Sequence, residues 1–254
     1  QFFPFETAYN NTNMNTRRID IAAPSGSELS VLFRVNPRAK RLILRVDPKT
    51  QSPVVTAPSP RHYKAAEKFV QSKAGWIENQ ICRQPDVITL EPGIEIPVSG
   101  EMHLLTQSGA RGRTRQIEGT PPQLDSPGAD ITYSDRVLRY LKMKAREALN
   151  ERVDVHAERL AVDPVKITIR DTRSRWGSCS SKGHLNFSWR LILAPPQILD
   201  YVAAHEVAHL IEMNHSDDFW ALVEKSYGPH KNARNWLKQN GRLLHAYGSS
   251  GSAG

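Results

Sequence analysis

Residues Ile198–Ile211 read ILDYVAAHEVAHLI, an apolar run interrupted only by Asp200, His205, Glu206 and His209. A run of this length is long enough for a buried helix. In a helix, His205 and His209 fall one turn apart on one face, about 6 Å along the axis. Two imidazoles so placed can bind one tetrahedral metal ion. Glu206 stands beside the pair rather than between its members, so it can reach a water on the metal without being a ligand. An HExxH match arises by chance in roughly one or two chains of this kind per hundred, so the apolar helical setting gives it its weight. Burying two imidazoles and a carboxylate with nothing to bind would cost several kcal/mol in desolvation.

Such a site needs a third protein donor. His215 follows His209 by six residues, and Asn214, which tolerates the left-handed conformation, is expected to end the helix and turn His215 back. Glu212 is the rival: seven residues after His205, it shares that helix face as a ligand or as an acceptor behind an imidazole. Glu224 is a more distant alternative.

Elsewhere the pattern predicts an α+β chain. Arg18–Ala23, Leu29–Val35, Arg41–Val46 and Pro53–Ala57 read as strands. Ser59-Pro60 reads as the start of one helix over about 60–82. Ile94–Val98 and Glu101–Thr106 flank Ser99-Gly100, a hairpin signal, and Arg111, Arg113 and Arg115 follow on a third strand or loop. The proline-rich stretch Gly119–Ala129 is the best candidate for a linker. The expected division is therefore a β-rich N-terminal region over 1–133 with one helix, a second domain over 134–244, and a disordered Gly/Ser-rich tail over 245–254. In the second domain a long helix runs from Ser134 to about Leu160. Two strands follow, Lys166–Arg170 and His184–Trp189. Then come a helix from Pro195-Pro196 to about Met213, one capped by Ser216 with Asp217 and Asp218 in its first turn, and one over Lys231–Asn240 stopped by Gly241.

Composition bounds the rest. The 254 residues are 39% hydrophobic and 24% charged, and no apolar run approaches the roughly 20 residues of a membrane helix. The opening Gln1–Phe5 lacks the basic and apolar regions of a signal peptide. Two distant cysteines, Cys82 and Cys179, make no disulfide framework, and a cytoplasmic setting with no membrane partner is expected. The net charge of +8 makes an acidic partner, nucleic acid or nucleotide, worth testing, against scattered cations that merely solvate a surface.

His205–Trp220, Asp171–Trp189 and Leu191–Tyr201, three motifs in order, resemble the YgjP-like metal-dependent hydrolase family, relatives of the SprT-like and minimal zincin metallopeptidases. The resemblance is dense over about 134–244 and looser over Arg38–Val46 and Tyr63–Ile81. It implies a zincin-like C-terminal domain with an HExxH active-site helix, metal ligands at His205, His209 and His215, one Zn²⁺ per chain, and Glu206 as catalytic base. Glu212 departs from the metzincin pattern, which has Gly there, so that group's extended loop is not expected.

The segment Arg173–Cys179 adds candidates for substrate binding: Arg173 and Arg175 for a carboxylate or phosphate, Trp176, and Asn186 on His184–Trp189, taken as the strand that pairs with an extended substrate. The plainer reading makes Trp176 a core anchor, Gly177 a turn residue and Cys179 a small buried hydrophobe. A zinc metallopeptidase acting on a peptide or protein is thus expected. The alternatives are a hydrolase of nucleotides or phosphorylated substrates, a DNA-associated protease, and a non-catalytic protein with a structural zinc. The last is disfavoured by Glu206 and by the lack of a fourth protein ligand.

Overall fold

A computed structural model describes residues 16–47, 52–82, 85–109, 111–128, 132–172 and 174–248. It is a mixed α+β structure, and the chain divides into two compact units, 1–84 and 85–254.

In the first unit, β1 (Thr16–Ala22), β2 (Glu28–Val35), β3 (Ile43–Val46) and β4 (Pro53–Ala57) form one sheet in the order β1-β2-β4-β3. Alternate residues Ile19, Ile21, Val31, Phe33, Val55 and Ala57 face one side and bury against Ala66, Val70, Ala74 and Ile77. Two helices supply those contacts, α1 (Tyr63–Gln71) and α2 (Ala74–Cys82), where the sequence predicts one. The expected cap also differs. Ser59 opens a 3-10 turn over Pro60–His62, and its hydroxyl bonds the His62 ring at 2.9 Å instead of a backbone N–H.

The second unit begins with β5 (Glu95–Val98) and β6 (Glu101–Thr106), joined through Ser99 and Gly100, both at positive φ as a tight hairpin requires. Then come β7 (Arg115–Ile117) and β8 (Gln123–Asp125). β8 lies inside the sheet, in the order β5-β6-β8-β7, and Leu124 is fully buried. The stretch expected as a linker therefore contains an interior strand. Its prolines flank the strand, where a missing N–H does no harm. Leu90, Ile96, Leu105 and Leu124 share one core with Leu141, Leu149 and Val153 of α3 (Tyr133–Leu160). Residues 85–133 accordingly belong to the second unit, a division different from the one expected at 133/134.

A second sheet holds β9 (Lys166–Arg170), β10 (Gly177–Cys179) and β11 (His184–Ser188), in the order β10-β11-β9. Three helices close the unit: α4 (Pro196–Ala208), α5 (Asp217–Ser226) and α6 (Lys231–Leu244). No described helix is long and apolar enough to cross a membrane. Gly241 does not stop α6. It is buried within it, where a Cβ would come within 3.0 Å of the Trp176 ring, so glycine serves close packing there. The start of the expected tail is also ordered: Tyr247 bridges Ile88, and Ala246 and Tyr247 are buried.

A buried polar link pins α4 to its neighbours. His156 of α3 receives Ser226 of α5 at 2.6 Å on Nδ1 and meets Asp200 of α4 at 2.8 Å on Nε2. Arg152 donates to the same carboxylate oxygen at 2.5 Å. Burial pushes the Asp200 carboxyl up, but the bonds from His156 and Arg152 outweigh it and hold the pKa below the ordinary range. A carboxylate lowered on folding stabilises above its unfolded pKa of about 3.9, and that stabilisation is lost as pH falls through the folded value. Asp200→Asn is expected to lower stability by about 2 kcal/mol at neutral pH. In urea titrations the deficit should hold steady from pH 7 to about pH 5 and shrink below the unfolded value of about 3.9. A deficit that grows on acidification would contradict the argument.

Candidate metal centre

His205 lies in the last turn of α4, and His209 is the residue on which that helix ends. The helix thus stops well short of the expected Met213. Asn214 has no positive φ. The chain turns instead through hydrogen bonds centred on Glu212, whose carboxylate accepts from the Asn214 backbone at 3.0 Å. Its carbonyl meets His209 Nδ1 at 2.9 Å. A carbonyl only accepts, so Nδ1 carries the proton and the Nε2 lone pair of His209 is free for a metal. The Glu212 side chain is not among the converging donors.

The turn delivers His215 to the other two imidazoles. The three ring centroids form a nearly equilateral triangle, with sides of 4.9, 5.0 and 4.8 Å. One nitrogen from each lies within 4.8 Å of the others. His205 Nε2 and His215 Nε2 are 3.1 Å apart, close to the roughly 3.3 Å that two nitrogens adopt at 2.0–2.1 Å from a tetrahedral ion. Burial, followed by the neighbouring imidazoles, lowers the pKa of His205 to about 3. Burial likewise lowers that of His209. Neutral rings are what a metal requires. Position, protonation and nitrogen spacing all fit a single metal ion.

Phe219 supports the triangle from below. Fully buried, it lies 4.9 Å from His205, 4.4 Å from His209 and 4.8 Å from His215. Ser216 fixes its position by accepting from the Phe219 backbone at 3.3 Å, the cap expected for α5. Trp220 packs 5.8 Å from both His205 and His215.

Glu206 is 5% exposed. Burial pushes its carboxyl up to about 8, against the opposing pull of Arg175. Its oxygens reach β10 because residue 177 is glycine: a Cβ there would lie 2.7 Å from Glu206 Cδ. Gly177 has no positive φ, so its role is space and not backbone freedom.

A cleft of about 330 Å³ opens over the triangle, lined by Arg175, Gly177, Ser178, Cys179, Glu206, Met213 and the three histidines. Of the residues predicted from the sequence, Arg175 borders it. Trp176 does not: it stacks on His245 at 4.6 Å and packs over Gly241. Asn186 does not either, since it sits on β11, where its side-chain oxygen accepts from Arg170 at 2.9 Å. Because β11 is the middle strand of its sheet, it has no free edge for a substrate; among the described residues, the edge strand beside the cleft is β10. Arg173 lies outside the described residues. Burial, then the Glu206 charge, raises the Cys179 thiol to about 11, and Cys179 is not among the converging donors. Glu224 is 3.7 Å from His230 and apart from the cluster. The sequence marks Gly177 only as a turn residue and gives Ser178, Met213 and Phe219 no role at the site. The Ser216 cap three residues before Phe219 was the one available signal.

Three imidazoles converge beside a buried carboxylate in an open cleft, a donor set that could hold a metal ion. The YgjP-like family, described as a metallopeptidase domain, matches residues 40–240. The chain belongs to that family and is a metal-dependent hydrolase. No curated protein matched the chain. Among solved structures, the metallopeptidase zymogen of Pyrococcus abyssi abylysin is 20% identical, with a TM-score of 0.33 over 37% of this chain and 94% of that one.

Gly177→Ala is expected to destabilise the protein by about 1–3 kcal/mol through overpacking against Glu206, measured by urea denaturation. Adding Glu206→Ala should recover most of the loss; an equal loss in both backgrounds would place the clash elsewhere.

Proposed function

We propose that the chain is a zinc metallopeptidase with a zincin-like arrangement, its metal held by His205, His209 and His215 and its general base Glu206. The observation that carries this reading is the three-imidazole triangle with a buried carboxylate on the residue next to His205. A site with three protein ligands and an open fourth position is the pattern of catalytic zinc, whereas structural zinc is closed by four.

When bound, the ion supplies a Lewis acid that makes water acidic and polarises a carbonyl. Glu206 takes the proton from the attacking water and later delivers it to the leaving amine. Burial raises the Glu206 carboxyl to about 8, and a bound dication would favour its ionised form. His209 is oriented by the Glu212 carbonyl, and His215 is set by the turn that the Glu212 carboxylate caps. An extended peptide has β10 to pair with, which places its backbone across the cleft mouth. Met213, 50% exposed, offers an apolar contact at the rim.

A phosphorylated or nucleotide substrate has less support. Among the described residues lining the cleft, Arg175 is the one cationic side chain, and Arg111, Arg113 and Arg115 lie outside it. Triphosphate sites generally gather several such donors.

Elemental analysis should find one zinc per chain, reduced to background in His205→Ala. Glu206→Gln should retain the zinc and lose activity on a peptide library by about 10²-fold or more. Full zinc in His205→Ala would dismiss the ligand set, and unchanged turnover in Glu206→Gln would dismiss the base.

A further inference from the structure

The charge of this protein is unevenly distributed. Residues 1–84 hold 13 Lys and Arg against 6 Asp and Glu, a net +7. Residues 85–254 hold 21 against 20, a net +1. Nearly the whole excess therefore sits on the smaller unit, which contains none of the imidazoles of the metal centre.

Within that unit the charge is polarised again. β1 pairs antiparallel with β2, β2 parallel with β4, and β4 antiparallel with β3. The start of β1, the end of β2, the end of β4 and the start of β3 therefore meet at one end of the sheet. The bond from Asn36 N to Ala57 O, 2.9 Å, and that from the Tyr63 hydroxyl to Arg18 O, 3.0 Å, tie the adjoining connections to the same end. Arg17, Arg18, Arg34, Arg38, Lys40 and Arg41 all lie there, and all six are exposed. No Asp or Glu occurs between Glu28 and Asp47. Of the described carboxylates, Asp20, Glu28 and Asp47 belong to the far end of the strands. Glu67 lines a shallow depression with Asp20, and Glu78 lies on α2. Among the described residues, the one ion pair in this unit is Arg45 with Asp47, at 3.9 Å.

We infer that this basic end of the N-terminal unit docks on the phosphate backbone of duplex DNA. Five of the six cations are arginines, whose planar fork suits phosphate oxygens better than the point charge of lysine. Four strands make the end about 14 Å wide at roughly 4.8 Å per strand, enough to follow a backbone whose phosphates rise about 3.4 Å apart along each strand. The outward sheet face presents Arg18, Arg34, Leu32, Thr56 and Ile43 toward the basic end, with Arg45, Asp20 and Glu28 further along it, and no aromatic ring. Single-strand binders stack bases on such rings, so a duplex held by its phosphates fits better. Ile43 is the one large apolar side chain exposed on this face, at 46%, too little for insertion into a lipid surface. Binding of this kind is sequence-independent, because phosphate contacts carry no base information.

The test uses the full chain and a fluorescein-labelled 30-base-pair duplex of arbitrary sequence, followed by anisotropy across a salt series. With four to six phosphates contacted, the slope of log K against log salt should be about −4 to −5. Arg34→Glu/Arg38→Glu/Arg41→Glu should weaken binding at least tenfold and flatten the slope by about 3 units, with an unchanged melting temperature. Lys142→Glu/Lys144→Glu on α3 should leave binding within twofold. Any of four results would overturn the inference: no binding at low salt, a flat salt response, equal loss in the α3 variant, or tighter binding to single-stranded DNA or to anionic phosphatidylserine vesicles than to the duplex.

Discussion

The ring of Phe219 touches the imidazoles of His205, His209 and His215 at once, and much of the second unit can be understood as the means of holding it there. The three histidines come from three backbone settings: the last turn of a helix, the residue on which that helix ends, and the turn beyond it. Nothing local makes these settings converge. They do so because a buried aromatic ring fills the space beneath them, and because Ser216 fixes the start of α5 so that Phe219 enters at the right height. Aromatic packing of this kind is firm because ring contacts add to the burial of a large apolar surface. α4 in turn is fixed at its other end, where the β5–β6 hairpin tip abuts Pro195 and the Ser99 amide donates to Ile192 O at 2.6 Å.

Glu206 is placed by an equally simple constraint. A carboxylate 5% exposed is expensive to charge, and its raised pKa expresses that expense. The fold accommodates it by omitting a side chain at Gly177, so the carboxyl lies against an edge strand instead of in bulk water. The cleft consequently places this carboxylate, the imidazole triangle and, among the described residues, an edge strand within one small volume.

The sequence made the periodic parts of this architecture legible. The alternation in β1 and β2, the five-residue stripe Val137–Leu141–Ala145–Leu149–Val153 at every fourth position of α3, and the HExxH spacing each follow from one residue type repeating against one geometry. The Ser99-Gly100 hairpin was equally plain. What could not be read depends on contacts between distant segments. Gly177 and Gly241 look like turn residues in one dimension, yet both exist to admit another side chain, Glu206 in one case and Trp176 in the other. The Gly119–Ala129 prolines suggest a linker until Leu124 is seen to fill the core. His184–Trp189 reads as an accessible strand, and only the pairing of the short Gly177–Cys179 segment shows it to be interior.

Glu212 shows most clearly why residue identity and residue role separate. Its spacing from His205 made its carboxylate a rival ligand, on the assumption that the helix continued to Met213. The helix ends at Ala208, so the residue leaves that face and two other groups act: the carbonyl orients His209, and the carboxylate caps the turn to Asn214. A carbonyl is present at every residue and leaves no mark in a sequence, so this support for the imidazole was invisible until the backbone was known. The same turn explains how His215 can be exposed while His209 is buried: the donors span the boundary between core and cleft. The imidazole triangle therefore runs from the core, at His209, to the cleft, at His215.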